Sequence, residues 1–324
     1  MNRRRAIQFL LLAAAPFSTP AAAQRKVRRV AWFGAGRPGA PEPFLDALRL
    51  GLRDKGWVEG KDLEIAQFLT EGSPDDSAFL ARQVIASNPE VIVVYGRDVP
   101  ILHRAKPQQP VVFAFSGNPV DAKVVESFAH PGGNFTGMSF MSLELVGKRI
   151  EVLREIVPQI RRIAVLARPE HAGEHRERAA SEAAAARLGI PVAYVPVQSA
   201  EGIDGALRAV ATTKSDALVV FPDGVMLGHG ARIAKFALEE RLPAISGWDR
   251  FADSGFLATY GPNLRISYRR LGHYVDRVLR GAKPSELPVE FPQAVEMVLN
   301  LRTAKALGIA IPPSLLQRAD RVID

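Results

Sequence analysis

No cysteine occurs anywhere in the 324 residues. That excludes a disulfide framework, a thiol nucleophile, and a lipid carried on a cysteine at a processed N-terminus. Long apolar runs are missing too. Beyond Ala23 no stretch approaches the roughly 20 apolar residues that a membrane-spanning helix needs, so no stable membrane insertion is expected. Clustered positive charge is likewise absent. The formal charge is +8, of which Arg3, Arg4 and Arg5 supply three, leaving +5, and no basic run exceeds Arg25-Lys26 or Arg28-Arg29. Nucleic-acid binding requires a concentrated basic stripe, so the charge reads as a solvated surface with no nucleic-acid partner. The sequence contains no G-x-S-x-G elbow, and no residue set proposes a reaction. An enzyme, a metal site and a cofactor are therefore not expected.

What is present begins with an export signal. Arg3, Arg4 and Arg5 precede an apolar run over residues 6–15, and no acidic residue occurs before Glu42. Pro16 and Pro20 end any helix, and Ala21-Ala22-Ala23 offers the small residues that a signal peptidase cuts after. The pattern predicts a cleaved signal over residues 1–23 and a periplasmic, monomeric mature chain. Arg3-Arg4 also fits a twin-arginine variant of the signal.

From Val27 onward, short apolar runs alternate with amphipathic stretches. Strands are expected at 30–33, 63–68, 91–95 and 111–115, and in a second series at 163–166, 192–195, 217–221 and 244–246. Helices are expected at 44–55, 77–86, 174–188 and 232–241. This alternation predicts an α/β fold of two lobes, each a Rossmann-like parallel sheet covered on both faces. Residues 141–158 lie at the join, and the absence of a low-complexity linker implies ordered hinge strands. A long helix at 266–279, a Pro-punctuated stretch and a last strand at 295–301 suggest a chain that returns to earlier elements. The expected division is 24–140 plus about 262–285 for one lobe, and 141–261 plus about 286–324 for the other.

Two motifs resemble chemical signatures. Gly34-Ala35-Gly36-Arg37-Pro38-Gly39 has dinucleotide-fingerprint spacing, but Pro38, Pro41 and Pro43 push the helix start beyond it. His171-Ala172-Gly173-Glu174-His175 has H-x-x-E-H spacing, but Pro169 and Gly173 place it on a turn where the ligands do not share a helical face.

What recurs is loop chemistry at strand ends, where open α/β sheets bind ligands. Arg37, Arg97, Arg168 and Arg250 each follow an expected strand, and a guanidinium suits a carboxylate. Asp223 and Asp249 sit in equivalent loops and offer an ammonium partner, while Phe33, Tyr95 and Trp248 offer apolar faces. Gly34, Gly36, Gly96, Ser116, Asn118, Ser139 and Tyr260 complete the candidate lining. The expectation is a cleft for a small, carboxylate-bearing, aromatic or amino-acid-like molecule. The alternative is an exported hydrolase on a related frame. A sensor domain would need a DNA-binding or membrane-spanning element that the sequence does not show.

The stretch Ala47-Leu48-Arg49-Leu50-Gly51-Leu52, the loop Gly117-Asn118-Pro119-Val120 and the segment Pro131-Gly132-Gly133-Asn134-Phe135-Thr136-Gly137 carry a family resemblance. So do Leu143-Glu144-Leu145-Val146-Gly147-Lys148-Arg149, Tyr260-Gly261-Pro262-Asn263, Leu287-Pro288-Val289-Glu290 and the C-terminal Asn300-Leu301-Arg302-Thr303-Ala304-Lys305-Ala306-Leu307-Gly308. Together with Ile311-Pro312-Pro313-Ser314-Leu315-Leu316, they resemble the ABC-transporter substrate-binding proteins of the tryptophan/tyrosine type. The resemblance implies the type I periplasmic-binding fold, three hinge crossings, and a ligand closed between the lobes. It also implies a permease and a cytoplasmic ATPase as partners. Two loops depart from the family pattern: Asn118 stands where Asp is frequent, and Arg97-Asp98 replaces a Thr-Pro-type turn.

Overall fold

The computed structural model describes residues 27–36, 39–40, 42–70, 74–141 and 143–324. The expected signal over residues 1–23 lies outside these, as does Arg37. The first half contains β1 (Arg28–Ala35), α1 (Pro43–Arg53), β2 (Leu63–Thr70), α2 (Pro74–Ala86), β3 (Val91–Tyr95), α3 (Asp98–Arg104), β4 (Val111–Phe115) and β5 (Phe135–Ser139). Then follow α4 (Leu143–Ile156), β6 (Ile163–Ala167), α5 (Glu174–Arg187), β7 (Val192–Pro196), α6 (Ile203–Thr212), β8 (Ala217–Val220), α7 (Gly224–Gly228) and α8 (Gly230–Glu239). The chain ends with β9 (Ala244–Ser246), α9 (Asp249–Asp253), β10 (Ala258–Pro262), α10 (Leu264–Leu279), β11 (Val295–Asn300), α11 (Leu301–Leu307), α12 (Pro313–Arg318) and β12 (Arg321–Ile323).

These elements form two lobes, each built on its own sheet. The first sheet has the order β2-β1-β3-β4-β5 and is parallel throughout. The second has the order β12-β11-β10-β9-β8-β6-β7. Its β7-β6-β8-β9-β10 portion is parallel and repeats the first sheet's winding. The expected parallel winding holds through β10, and the last strand expected at 295–301 is β11, which pairs antiparallel with β10. The cause is topological. The chain reaches β11 from the first lobe, and so enters the second sheet from the opposite end to β10.

Strand sequences sort their side chains by the period of two that a pleated strand imposes. In β1, Val30 and Trp32 pack toward α1 and α10, whereas Ala31 and Phe33 pack toward α2 and α3. Both faces are covered, which is why β3 (VIVVY) and β4 (VVFAF) read as unbroken apolar runs.

Three crossings join the lobes. The first runs from β5 to α4, and the second is the short step from β10 to α10, capped by Asn263, whose Oδ1 accepts from Ile266 N at 2.9 Å. The third leaves α10 and runs back to β11. On its way Glu290 bridges beside Met138, and its amide donates to Gly137 O at 3.0 Å. Helix α10 thus belongs spatially to the first lobe. It lies so close to α1 that a Cβ on Gly51 would sit 1.9 Å from the carbonyl oxygen of Arg269.

Candidate functional site

Both sheets aim their carboxyl ends at a common space, and each reverses strand order there. That is the position at which open α/β sheets bind ligands. The space holds a cavity of about 410 Å³. The first lobe contributes the ends of β1, β3 and β4, Phe140, and the start of α10. The second contributes Ala200, the loop and turn of α7, and the segment after β9. A larger groove of about 600 Å³ lies at the opposite, amino edge of the first sheet, between Arg28, Trp57 and Arg280. Its polar groups are engaged with one another: Trp57 Nε1 donates to Asp276 at 2.8 Å, and Arg280 Nε donates to the same carboxylate at 2.6 Å. The cavity between the lobes therefore carries the argument about a ligand.

An aromatic wall lines the first-lobe side. Phe44 stacks on Tyr268 with ring centroids 4.6 Å apart. Tyr95 meets Tyr268 edge-on at 6.3 Å and leans on the buried Trp32 at 4.6 Å, and Phe140 packs against Tyr268 at 5.8 Å. Gly34 makes this possible, because a Cβ there would stand 2.3 Å from the Tyr95 ring. The Tyr95 hydroxyl donates to Ala35 O at 2.6 Å, tying the β1 loop to β3. Burial pushes the Tyr95 and Tyr268 hydroxyls well above the ordinary phenol range, so both stay neutral.

Arg97 and Arg250 both line this cavity, one from each lobe, with His229 beside them and Trp248 on the second-lobe wall. Arg97 buries its Nε and Nη2 without any protein acceptor, and Trp248 buries its Nε1 the same way. Gly96, at φ +63°, allows the turn that presents Arg97, and its amide donates to Ala114 O at 2.9 Å. Ser116 also lines the cavity, with its Oγ 3.0 Å from His171 Nε2.

Other expected lining residues are placed elsewhere. Phe33 is fully buried against α2 and α3, because the strand's alternation turns the α1–α10 face to Trp32, itself fully buried behind Tyr95. Gly36 lies against the Glu42 carboxylate, which a Cβ there would meet at 2.5 Å. Asn118 Oδ1 accepts from the amides of Val120 and Asp121 at 2.9 and 3.2 Å, so it builds its own turn and faces a separate groove. Ser139 is buried and donates to Gly117 O at 3.1 Å. Tyr260 offers its carbonyl to Arg149 Nε at 2.9 Å and lies on another surface. Arg168 turns to Asp223 at 3.8 Å and Glu170 at 3.4 Å. Asp223 caps α7 by accepting from Met226 N at 2.8 Å, and Asp249 faces Arg321 at 3.9 Å. Neither aspartate is among the residues that line the cavity.

Beside the cavity lies a buried ionisable cluster. His171 sits with its Nδ1 3.9 Å from Glu177, and Arg149 and Asp223 are close by. Burial lowers the His171 pKa and keeps the ring neutral, and it pushes the Glu177 carboxyl up to about 7. The H-x-x-E-H motif thus forms a turn and the start of α5, and no metal-ligand group exists among the described residues. This edge also fastens the lobes together. Asn118 N donates to Ala172 O at 2.8 Å, and Arg176 grips Asp121 with two bonds of 2.7 and 3.0 Å.

The two lobes and their winding are those of the type I periplasmic-binding fold. Residues 43–323 match the family model described as ABC transporter substrate binding protein, and the chain belongs to that family. A tyrosine-binding protein of Clostridioides difficile is 24% identical over 279 residues, covering 82% of this chain and 78% of that one. A conserved domain protein from Vibrio cholerae is 29% identical with a TM-score of 0.82, covering 92% of this chain and all of the other. A Streptococcus pneumonia ABC domain solved with L-Trp is 23% identical with the same TM-score of 0.82, and coverage is again 92% of this chain and all of the other. No helix among the described residues is long and apolar enough to cross a membrane.

Proposed function

We propose that this chain is the periplasmic component of an ABC importer and captures a small aromatic carboxylate in the cavity between its lobes. The observation that carries this reading is the pairing of an aromatic wall with two guanidinium groups at the converging sheet ends. An aromatic ring gains from apolar burial and from edge or face contacts with Phe44, Tyr95, Phe140 and Tyr268, and its carboxylate gains from Arg97 and Arg250. The relatives named for tyrosine and L-Trp support a ligand of this size and ring character. The lobes we assign are residues up to 141 with α10, and residues from 143 to 262 with β11 onward. They close about the three crossings, and the closed form is favoured by contacts from both lobes. The closed form then docks on a permease served by a cytoplasmic ATPase. Isothermal titration with aromatic acids tests the reading: saturable, one-to-one binding supports it, and no binding across the panel overturns it.

One geometry favours a second reading. Ser116, His171 and Glu177 stand in the order of a serine-hydrolase triad, with 3.0 Å between the first pair and 3.9 Å between the second. The 3.9 Å gap is too long for the hydrogen bond that orients a catalytic imidazole. Glu177, raised to about 7, is also a poor partner for an imidazolium at neutral pH. We therefore read the set as a clasp between lobes and the protein as non-catalytic. Hydrolysis of an aryl ester that is lost in Ser116→Ala would establish the hydrolase instead.

A further inference from the structure

We infer that the cavity selects aromatic acids that carry no ammonium group, and that Arg97 is the residue that seats the carboxylate. The inference rests on the aromatic-carboxylate reading and sharpens it to one chemical subclass.

The first ground is the edge of the guanidinium that Arg97 leaves open. Its unpartnered nitrogens are Nε and Nη2, which lie along one side of the fork. Among the described residues that same side grips a carboxylate four times elsewhere, beginning with Arg49, which holds Glu59 at 2.7 and 3.4 Å. Arg176 holds Asp121 at 2.7 and 3.0 Å. Arg269 holds Asp54 at 2.7 and 2.9 Å, and Arg270 holds Glu290 at 3.0 and 2.8 Å. In each case Nε and Nη2 are the donors. Arg97 presents the same pair, buried beside a cavity and with no acceptor. Burying such donors unpaired is costly, and a ligand carboxylate satisfies both at once. Trp248 Nε1 adds a third buried donor without a partner on the facing wall.

The second ground is the lack of any acid in the lining. Among the described residues that line the cavity there is no aspartate or glutamate, while Arg97, Arg250 and His229 are all basic types. The acids nearby are committed or set back. Asp223 accepts from the Met226 amide and Asp249 from the Arg250 amide, and neither lines the cavity. Asp98 is fully buried next to Arg97, and Glu42 packs against Gly36 within electrostatic reach of Arg250; neither lines the cavity, and burial raises the pKa of both. An ammonium group entering this space would give up its water and meet two guanidiniums, with no carboxylate in the lining itself to receive it. The site is rich in donors and poor in charged acceptors, which suits an anion and penalises a zwitterion.

The test uses pairs of probes that differ only in the ammonium group: 3-(4-hydroxyphenyl)propanoate against tyrosine, and indole-3-propanoate against tryptophan. Isothermal titration is expected to show the acid of at least one pair binding at least tenfold tighter than its amino acid. The primary amide of that acid is expected to lose at least tenfold, and Arg97→Met to lose at least tenfold for the acid. Arg97→Lys keeps the charge without the fork, guards against misfolding of the first variant, and is expected to fall between Met and wild type. Amino acids binding as tightly as the acids would overturn the inference and leave the aromatic-carboxylate reading standing. Unchanged acid affinity in both Arg97 variants would also overturn it. If no member of either pair binds, both readings fall together.

Discussion

Ser116 Oγ and His171 Nε2 meet at 3.0 Å across the junction of the two lobes, one residue closing β4 and the other opening the turn before α5. Ser116 also lines the cavity, so a single side chain touches both the space for ligand and the clasp between lobes.

Replacing Ser116 by alanine removes that bond and leaves the His171 ring without its partner. A loss of about 1 kcal/mol is expected in urea denaturation of the ligand-free protein. Small-angle scattering should also show a more open average shape, because one of the few bonds across this edge is gone.

His171 and Glu177 make opposing contributions to pH dependence. Glu177 is raised from 4.5 to about 7, so it disfavours folding progressively as pH climbs from 4.5 to 7. His171 is lowered from 6.5, so it disfavours folding as pH drops below 6.5. Below 6.5 the two groups therefore act with opposite sign, and their slopes offset in part. Glu177→Gln removes one side of that balance. Its stability relative to wild type should rise between pH 5 and pH 8, by at most about 3 kcal/mol. Thermal melts at both pH values check this, and a constant offset would refute it.

Gly51 and Gly272 let α1 and α10 touch backbone to backbone. A Cβ on Gly51 would lie 1.9 Å from Arg269 O, and one on Gly272 would lie 2.8 Å from Leu48 O. Gly51→Ala must push the helices apart, at a cost of about 3 kcal/mol or more. Chemical denaturation should record it, together with weaker ligand binding, because α10 also places Leu264 and Tyr268 on the cavity wall.

Phe44 stacks on Tyr268 at the cavity wall with its rings 13° from parallel. Phe44→Ala should weaken binding of an aromatic acid by roughly tenfold or more, since ring stacking and apolar burial are lost together. Phe44→Leu keeps most of the area but not the stack, and titration should place it between the two.

Much of this architecture was legible because both sheets are buried on two faces. Residues 91–95 and 111–115 read as strands on composition alone and are strands over the same limits. Strands β5 (FTGMS) and β10 (ATYGP) escaped, since glycine, serine, threonine and proline break the apolar run. Their burial comes from neighbours supplied by distant segments. At the site, the rule that ligands meet strand ends led to Tyr95, Gly96, Arg97, Ser116, Trp248 and Arg250. It says nothing about strand phase or burial, which is why it offers Phe33, a fully buried residue on the far face of β1. Applied to the whole turn after β8, it would have added Gly224 to His229. Phe44, Phe140 and Tyr268 lie on two helices and a crossing, and only tertiary packing brings them together. The helix expected at 266–279 carried no sign of which lobe would receive it, nor of its start at Leu264.

The return of α10 to the first lobe has a consequence for how the chain is made. Residues 28–139 leave the ribosome with the Val30 and Trp32 face of their sheet still lacking its second helix. That helix arrives only with residues 264–279, after the whole parallel part of the second sheet has been synthesised. The lobe that is begun first is therefore completed last. A chain interrupted anywhere between the two segments presents an uncovered apolar sheet, the kind of surface that draws chaperones and invites aggregation.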